Sequence, residues 1–280
     1  MGTEKMKVLV TGGSGFVGQE LVQTLLSRGY DVTNIDLVPS GIQGVDKIHD
    51  LTTGPVEVDA GFCFHLASAA GGLLFNQKQD VVSYNAKINE NVLKSCDAMT
   101  ILFVSTLNVF EGCKSISDDR SPDTPYARSK LEGEQYFMLN ATDLYIVRPP
   151  NIFGASQLSK FTSYGESHVI PDLLHKINTS DTLDVWGDGT QVRNFLHVRD
   201  ICDYLVSFLN GNRDRETNIC SSIILPMTEL VECLFDFTDK EMPVYYDAAY
   251  MQYEKMFIED ILDELDNVGV INSIVEGLEL

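Results

Sequence analysis

The sequence predicts an α/β protein, a parallel β-sheet with helices wound over both faces, followed by a smaller cap of irregular structure. Two observations carry this expectation. Short apolar runs alternate with amphipathic stretches up to residue 150, and the rhythm breaks after Pro149-Pro150. Parallel strands need a crossover that covers a sheet face, so repeated strand, helix, strand is their pattern. With 280 residues, 44% hydrophobic and 9% aromatic, the chain has ample apolar material for a core, which excludes global disorder.

Residues 7–11, Lys-Val-Leu-Val-Thr, read as a short buried strand. Phe16, Val17, Leu21, Val22, Leu25 and Leu26 recur at helical spacing, so a helix is expected over 16–28, stopped by Gly29. Strands are expected over 32–37 and 62–66, a long helix over 81–97, and a strand over 101–105. A helix over 126–140 and a strand over 144–147 follow, ended by Arg148-Pro-Pro150. Beyond it, 151–165 and 178–194 are rich in Gly, Ser, Asp and Asn. Such segments, attached to a regular sheet, are where a ligand-specific cap is built.

Twenty basic residues against 41 acidic ones give a net charge of −21. A surface of that sign does not neutralise phosphates, so nucleic acid is not an expected partner. No apolar run approaches the length of a membrane span. The start of the chain shows no cleavable signal, and Met6 fails the myristoylation pattern after Gly2. Six scattered cysteines without a C-x-x-C pair suit reduced thiols in the cytoplasm better than a disulfide framework or a metal site. Residues 216–280 hold 15 acids and two lysines, a solvated acidic face by default.

Two constellations carry chemistry. Thr11-Gly-Gly-Ser-Gly-Phe-Val-Gly18 lies between the first strand and the first helix. Glycines there let the backbone approach a pyrophosphate seated at a helix N-terminus. Asp36 ends the second strand, where a carboxylate accepts both ribose hydroxyls of an adenosine and repels a 2′-phosphate. NAD is therefore expected rather than NADP. In Tyr126-Ala-Arg-Ser-Lys130 the phenol and ammonium share a helix face. The ammonium is expected to lower the phenol pKa toward proton exchange with an alcohol. Phe103-Val-Ser-Thr106 delivers a hydroxyl toward the same crevice.

With these residues in place, the chain resembles the extended short-chain dehydrogenase/reductases, the NAD-dependent epimerase/dehydratases of nucleotide sugars. Further motifs are His65-Leu-Ala-Ser68, Val104-Ser-Thr-Leu-Asn-Val-Phe110, Arg148-Pro-Pro-Asn-Ile-Phe-Gly154 and the run from Val185-Trp-Gly to Arg193-Asn-Phe-Leu-His-Val198. The resemblance implies a Rossmann-type doubly wound sheet from 1–150 plus about 194–210. It implies a discontinuous substrate-binding cap from 151–193 and 211–280. Thr106 would hydrogen-bond the reacting hydroxyl and Tyr126 would be the acid/base, with Lys130 holding the nicotinamide ribose. Gly12, Gly15, Phe16, Val17, Gly18, Asp36, Asp50, Leu51, Leu66, Ala67 and Ser68 would surround NAD. Asn85, Asn108, Asn151, His168 and Arg193 would face the nucleotide-diphosphate sugar. A homodimer through a four-helix bundle from 81–97 and 126–140 is implied as well.

Departures from the family pattern narrow the reaction. The Asp-Glu pair of sugar 4,6-dehydratases is replaced by Leu107-Asn108, and the Glu of decarboxylases by Asn108. Gly71-Gly72 and Ser167-His-Val-Ile-Pro171 resemble GDP-fucose synthase. His168 matches its epimerisation acid, but the partner cysteine falls at Asn108. Phe110 stands where the family usually has Tyr, and Lys255 is the only cation near a diphosphate-binding Arg position. His65 and His197 read as hydrogen-bonded structural histidines, and Trp186 as a packing residue of the cap. These features imply a 4-epimerase, with a 4-keto-6-deoxy-sugar reductase as the near alternative. A non-catalytic dinucleotide sensor is the alternative from another class.

Overall fold

Along the chain run β1 (Lys7–Thr11), α1 (Phe16–Ser27), β2 (Asp31–Asp36), β3 (Asp46–Ile48), β4 (Phe62–His65), α2 (Leu73–Asn76), α3 (Asp80–Ser95), β5 (Thr100–Val104), α4 (Pro125–Asn140) and β6 (Asp143–Arg148). There follow β7 (Asn151–Phe153), α5 (Val169–Thr179), β8 (Leu183–Trp186), β9 (Val192–His197), α6 (Val198–Ser207), β10 (Glu216–Cys220), β11 (Ile224–Pro226), α7 (Met227–Thr238), β12 (Val244–Asp247), β13 (Asp266–Asn267) and α8 (Ile274–Glu279). The computed structural model describes residues 5–96, 99–160, 163, 166–211, 213–249, 261 and 264–280.

Eight strands form one sheet in the order β13-β10-β6-β5-β4-β1-β2-β3, and every neighbouring pair is parallel. This is the doubly wound α/β fold expected from the sequence. Alternate residues serve opposite faces, as the strand period requires. Val8, Val10, Phe62, Phe64, Leu102 and Val104 pack with α1 and α6 through Leu21, Leu25, Ile201 and Leu205. Leu9, Cys63, Ile101 and Phe103 point the other way, onto Val92 of α3 and Phe137 of α4. The strand order reverses between β1 and β4, which opens a crevice at their C-terminal ends.

After β6 come two small sheets, β11-β9-β7 and β12-β8. Their core joins Ile170, Leu173 and Ile177 of α5 to Leu230 and Leu234 of α7. Two stretches differ from the sequence division. Glu216–Cys220 and Asp266–Asn267, assigned to the cap, extend the large sheet beside β6. These strands are short and carry few apolar residues, so no periodic signal marked them. Strand β3, with its exposed pattern, escaped notice for the same reason. Among the described residues, no helix is long and apolar enough to cross a membrane.

A buried ion network binds α4 to the sheet. Glu134, fully buried, accepts from Arg148 Nε and Nη2 at 2.7 Å each, from Arg120 at 2.6 Å and from Ser105 Oγ at 2.5 Å. Arg148 also donates to Glu216 and Asn218 of β10. Breaking a buried pair strands a charge without its partner. Arg148→Met should therefore lower the unfolding free energy by about 3 kcal/mol or more. In urea titrations the midpoint should fall while the slope is unchanged.

Candidate active site

A cleft of about 510 Å³ lies at the C-terminal ends of β1, β4 and β5 and is closed by residues of β7, β9 and α5. At its sheet end the chain turns from β1 into α1. Gly12 has φ +77°, and a Cβ there would lie 2.7 Å from Ala67 N; one on Gly18 would lie 2.1 Å from Gly12 O. Only hydrogen fits at these points, so the turn presents bare backbone to the cleft. No side chain caps the start of α1, a combination suited to a pyrophosphate. Asp36, at the end of β2, accepts from Ser14 N at 2.9 Å and Leu37 N at 2.6 Å. The turn and the carboxylate fit a dinucleotide.

Gly12, Gly15, Phe16, Val17, Gly18, Leu66 and Ser68 line the cleft, as do Thr106, Tyr126 and Lys130. Thr106 ends the β5 segment, where its Oγ1 accepts from Asn108 N at 3.2 Å. Lys130 Nζ donates to Val104 O at 2.9 Å and lies 6.0 Å from the Tyr126 ring centroid. One expectation is corrected here. Burial pushes the Tyr126 phenol up to about 12 instead of Lys130 drawing it down. Burial likewise lowers Lys130 to about 8, opposed by the charge of Glu134. In an interior poor in water the charged form of each group is penalised.

Asn108, Asn151, His168 and Arg193 also line the cleft. Asn151 Nδ2 donates to Asn194 O. His168 is open to the cleft, yet the protein around it lowers its pKa. Burial brings Arg193 down to about 10. Other expected contacts have partners within the protein. Asn85 is buried and spends its amide on both backbone groups of Ala69 and on Ser129, so it braces a loop. Asp50 accepts from Thr52 N and Oγ1. Leu51 is core, and Ala67 stands against Gly12. Lys255 lies outside the described residues.

His65 is held between Thr11 Oγ1 at 2.8 Å and Asn89 Oδ1 at 3.0 Å, and burial lowers its pKa to about 3, so it is neutral. His197 bonds Gly277 O. Residues the sequence reading missed include Glu111, Thr124, Gln157 and Lys176, all lining the cleft. Trp186, read as packing, lines it too, with Lys176 Nζ 5.6 Å from its ring centroid. A signal existed for Glu111, the one acid between residues 98 and 117. None existed for Lys176, which reaches the cleft from α5, distant in sequence.

Residues 8–220 match the model of the NAD dependent epimerase/dehydratase family. The chain belongs to this family. It is an NAD-dependent enzyme of the extended short-chain dehydrogenase type. A dTDP-4-dehydro-6-deoxy-D-allose reductase of Streptomyces sp is 24% identical over 80% of this chain and 78% of its own. A UDP-glucose 4-epimerase of Mycolicibacterium smegmatis is 27% identical over 72% of each. The structure of an NAD-dependent NDP-hexosamine 5,6-dehydratase of tunicamycin biosynthesis superposes with a TM-score of 0.79. It is 24% identical and covers 99% of this chain and 96% of its own.

The Lys130 shift has a consequence for stability. With the folded pKa near 8 and the unfolded value near 10.4, the unfolded chain binds more protons between these values. The contribution of Lys130 to stability therefore rises with pH across that window and is most unfavourable below about 8. Relative to the parent, Lys130→Met should be most stable below pH 8, the difference shrinking toward pH 10.5 in thermal melts.

Proposed function

We propose that this enzyme is a nucleotide-sugar 4-epimerase that oxidises C4 and reduces it again within one turnover. One observation carries the reading: the cleft holds Thr106, Tyr126 and Lys130, but not the acid/base pair for elimination. Of the two positions in question, Leu107 is fully buried and Asn108 is an amide. NAD, when bound, supplies the hydride acceptor and donor, and brings positive charge to a cleft in which burial keeps the phenol protonated. Tyr126 acts as the phenolate, having released its own proton to solvent before reaction; it takes the proton of the C4 hydroxyl and later returns it. Thr106 donates a hydrogen bond to that oxygen, and Lys130 offsets the charge on the phenolate. Arg193 and Asn151 take the diphosphate, where a guanidinium forms strong charge-assisted bonds. This supplies local positive charge in a protein of net −21.

A second reading, an NAD(P)H-dependent 4-keto-6-deoxy-sugar reductase, is supported by the likeness to the allose reductase over 80% of the chain. It would use the same triad with Tyr126 as acid. Cofactor retention discriminates. If the protein purified without added cofactor releases near-stoichiometric NAD on denaturation, epimerisation with a retained cofactor stands. An empty protein that takes NADH or NADPH from solution makes it a reductase. Tyr126→Phe should lower turnover by about 10²–10⁴-fold while leaving NAD in place.

The same reading includes a homodimer through α3 and α4 and a cytoplasmic setting, the latter supported by six unpaired cysteines. Helix α3 exposes half of Tyr84, and α4 leaves Leu139 84% exposed and Met138 43% exposed. These side chains give both helices exposed apolar surface for a partner helix pair to cover. Light scattering should give twice the chain mass, and the double variant Tyr84→Glu, Leu139→Glu should give the monomer.

A further inference from the structure

Glu111 follows the 3₁₀ turn Leu107–Phe110 and is only 9% exposed, yet it lines the cleft. Its Oε2 accepts from Thr124 N at 3.0 Å and Thr124 Oγ1 at 3.1 Å. Thr124 caps α4, so the carboxylate is fixed at the helix start, beside the turn that carries Tyr126. Among the described residues, Glu111 forms no ion pair with a lysine or arginine, and no donor is bound to Oε1. A helix-capping role uses only Oε2. The second oxygen retains its acceptor capacity in a confined, partly dry space, where an unanswered carboxylate is costly.

We propose that Glu111 accepts a hydrogen bond from a hydroxyl of the substrate sugar and thereby excludes nucleotide sugars whose C6 is a carboxylate. The inference rests on the nucleotide-sugar reading of the cleft. A fixed carboxylate is acceptor-only, so it rewards a hydroxyl with a charge-assisted bond. A hexuronate would bring a second carboxylate into the same poorly hydrated site, and juxtaposed like charges are strongly disfavoured. The cations lining the cleft from the cap, Arg193 on β9 and Lys176 on α5, suit the diphosphate. Glu111 instead belongs with the residues around Tyr126, where the sugar reacts.

The test compares a nucleotide hexose with the hexuronate of the same nucleotide, the base being chosen from a UDP, GDP and dTDP panel. Binding is measured by calorimetry on the NAD-loaded Tyr126→Phe protein, and kcat/KM on the parent. The hexose should be preferred by about 100-fold or more. Glu111→Gln should narrow that ratio at least about tenfold, mainly through tighter hexuronate binding, because the amide keeps an acceptor and loses the charge. Glu111→Ala should also raise KM for the hexose. An unchanged ratio in Glu111→Gln overturns the proposal, since a purely capping role would leave discrimination alone. A parent protein that binds the hexuronate as well as the hexose overturns it without any variant. If no nucleotide sugar binds at all, the reading of the cleft itself fails, an outcome distinct from binding that ignores Glu111.

Discussion

The site depends on the buried pairing of Glu134 with Arg148. Tyr126, Lys130 and Glu134 follow one another at four-residue intervals along α4, so they share one face of the helix. Glu134 anchors that face to β6 through Arg148, to β5 through the adjoining Ser105, and onward to β10 through Glu216. Rotation or sliding of α4 would break several charge-assisted bonds at once in a place without water to replace them. The phenol and ammonium are therefore held at the crevice by a clamp one turn beyond them. The Coulomb field of Glu134 also opposes the desolvation of Lys130.

Burial sets the charge logic of the cleft. It keeps the Tyr126 phenol protonated and depresses both Lys130 and Arg193. Groups perturbed in this way mark a candidate site for ligands that bring charge. In the proposed reading, a diphosphate would restore the solvation that Arg193 lost on burial. Glu111 is the counterpart of opposite sign, an acceptor held rigid by Thr124.

Local chemistry made much of this legible in advance. The glycine turn shows itself because bare backbone must pass close to Ala67, and no other residue type tolerates that. The fold class followed from strand runs such as Val8–Val10 and Phe62–Phe64, buried on both sides of the sheet. The phenol and ammonium were readable because a four-residue spacing on a helix has a single geometric meaning. Short strands such as β10 and β13 were not, since two to five residues of mixed polarity carry no period. Asn85 looked like a substrate contact until its amide proved fully engaged by Ala69 and Ser129.

By itself, the sequence determined the parallel sheet, the glycine turn, the place of Asp36 at the end of β2, and the sharing of one helix face by Tyr126 and Lys130. Each is written in contiguous spacing, which local sterics and helix geometry convert directly into structure. Tertiary structure alone decided what stands opposite them: Lys176 and Trp186 from the cap, and Glu111 turned inward by Thr124. It also decided which way the pKa of Tyr126 moves. Those outcomes depend on how segments far apart in the chain exclude water together, and desolvation is a property of the assembled interior.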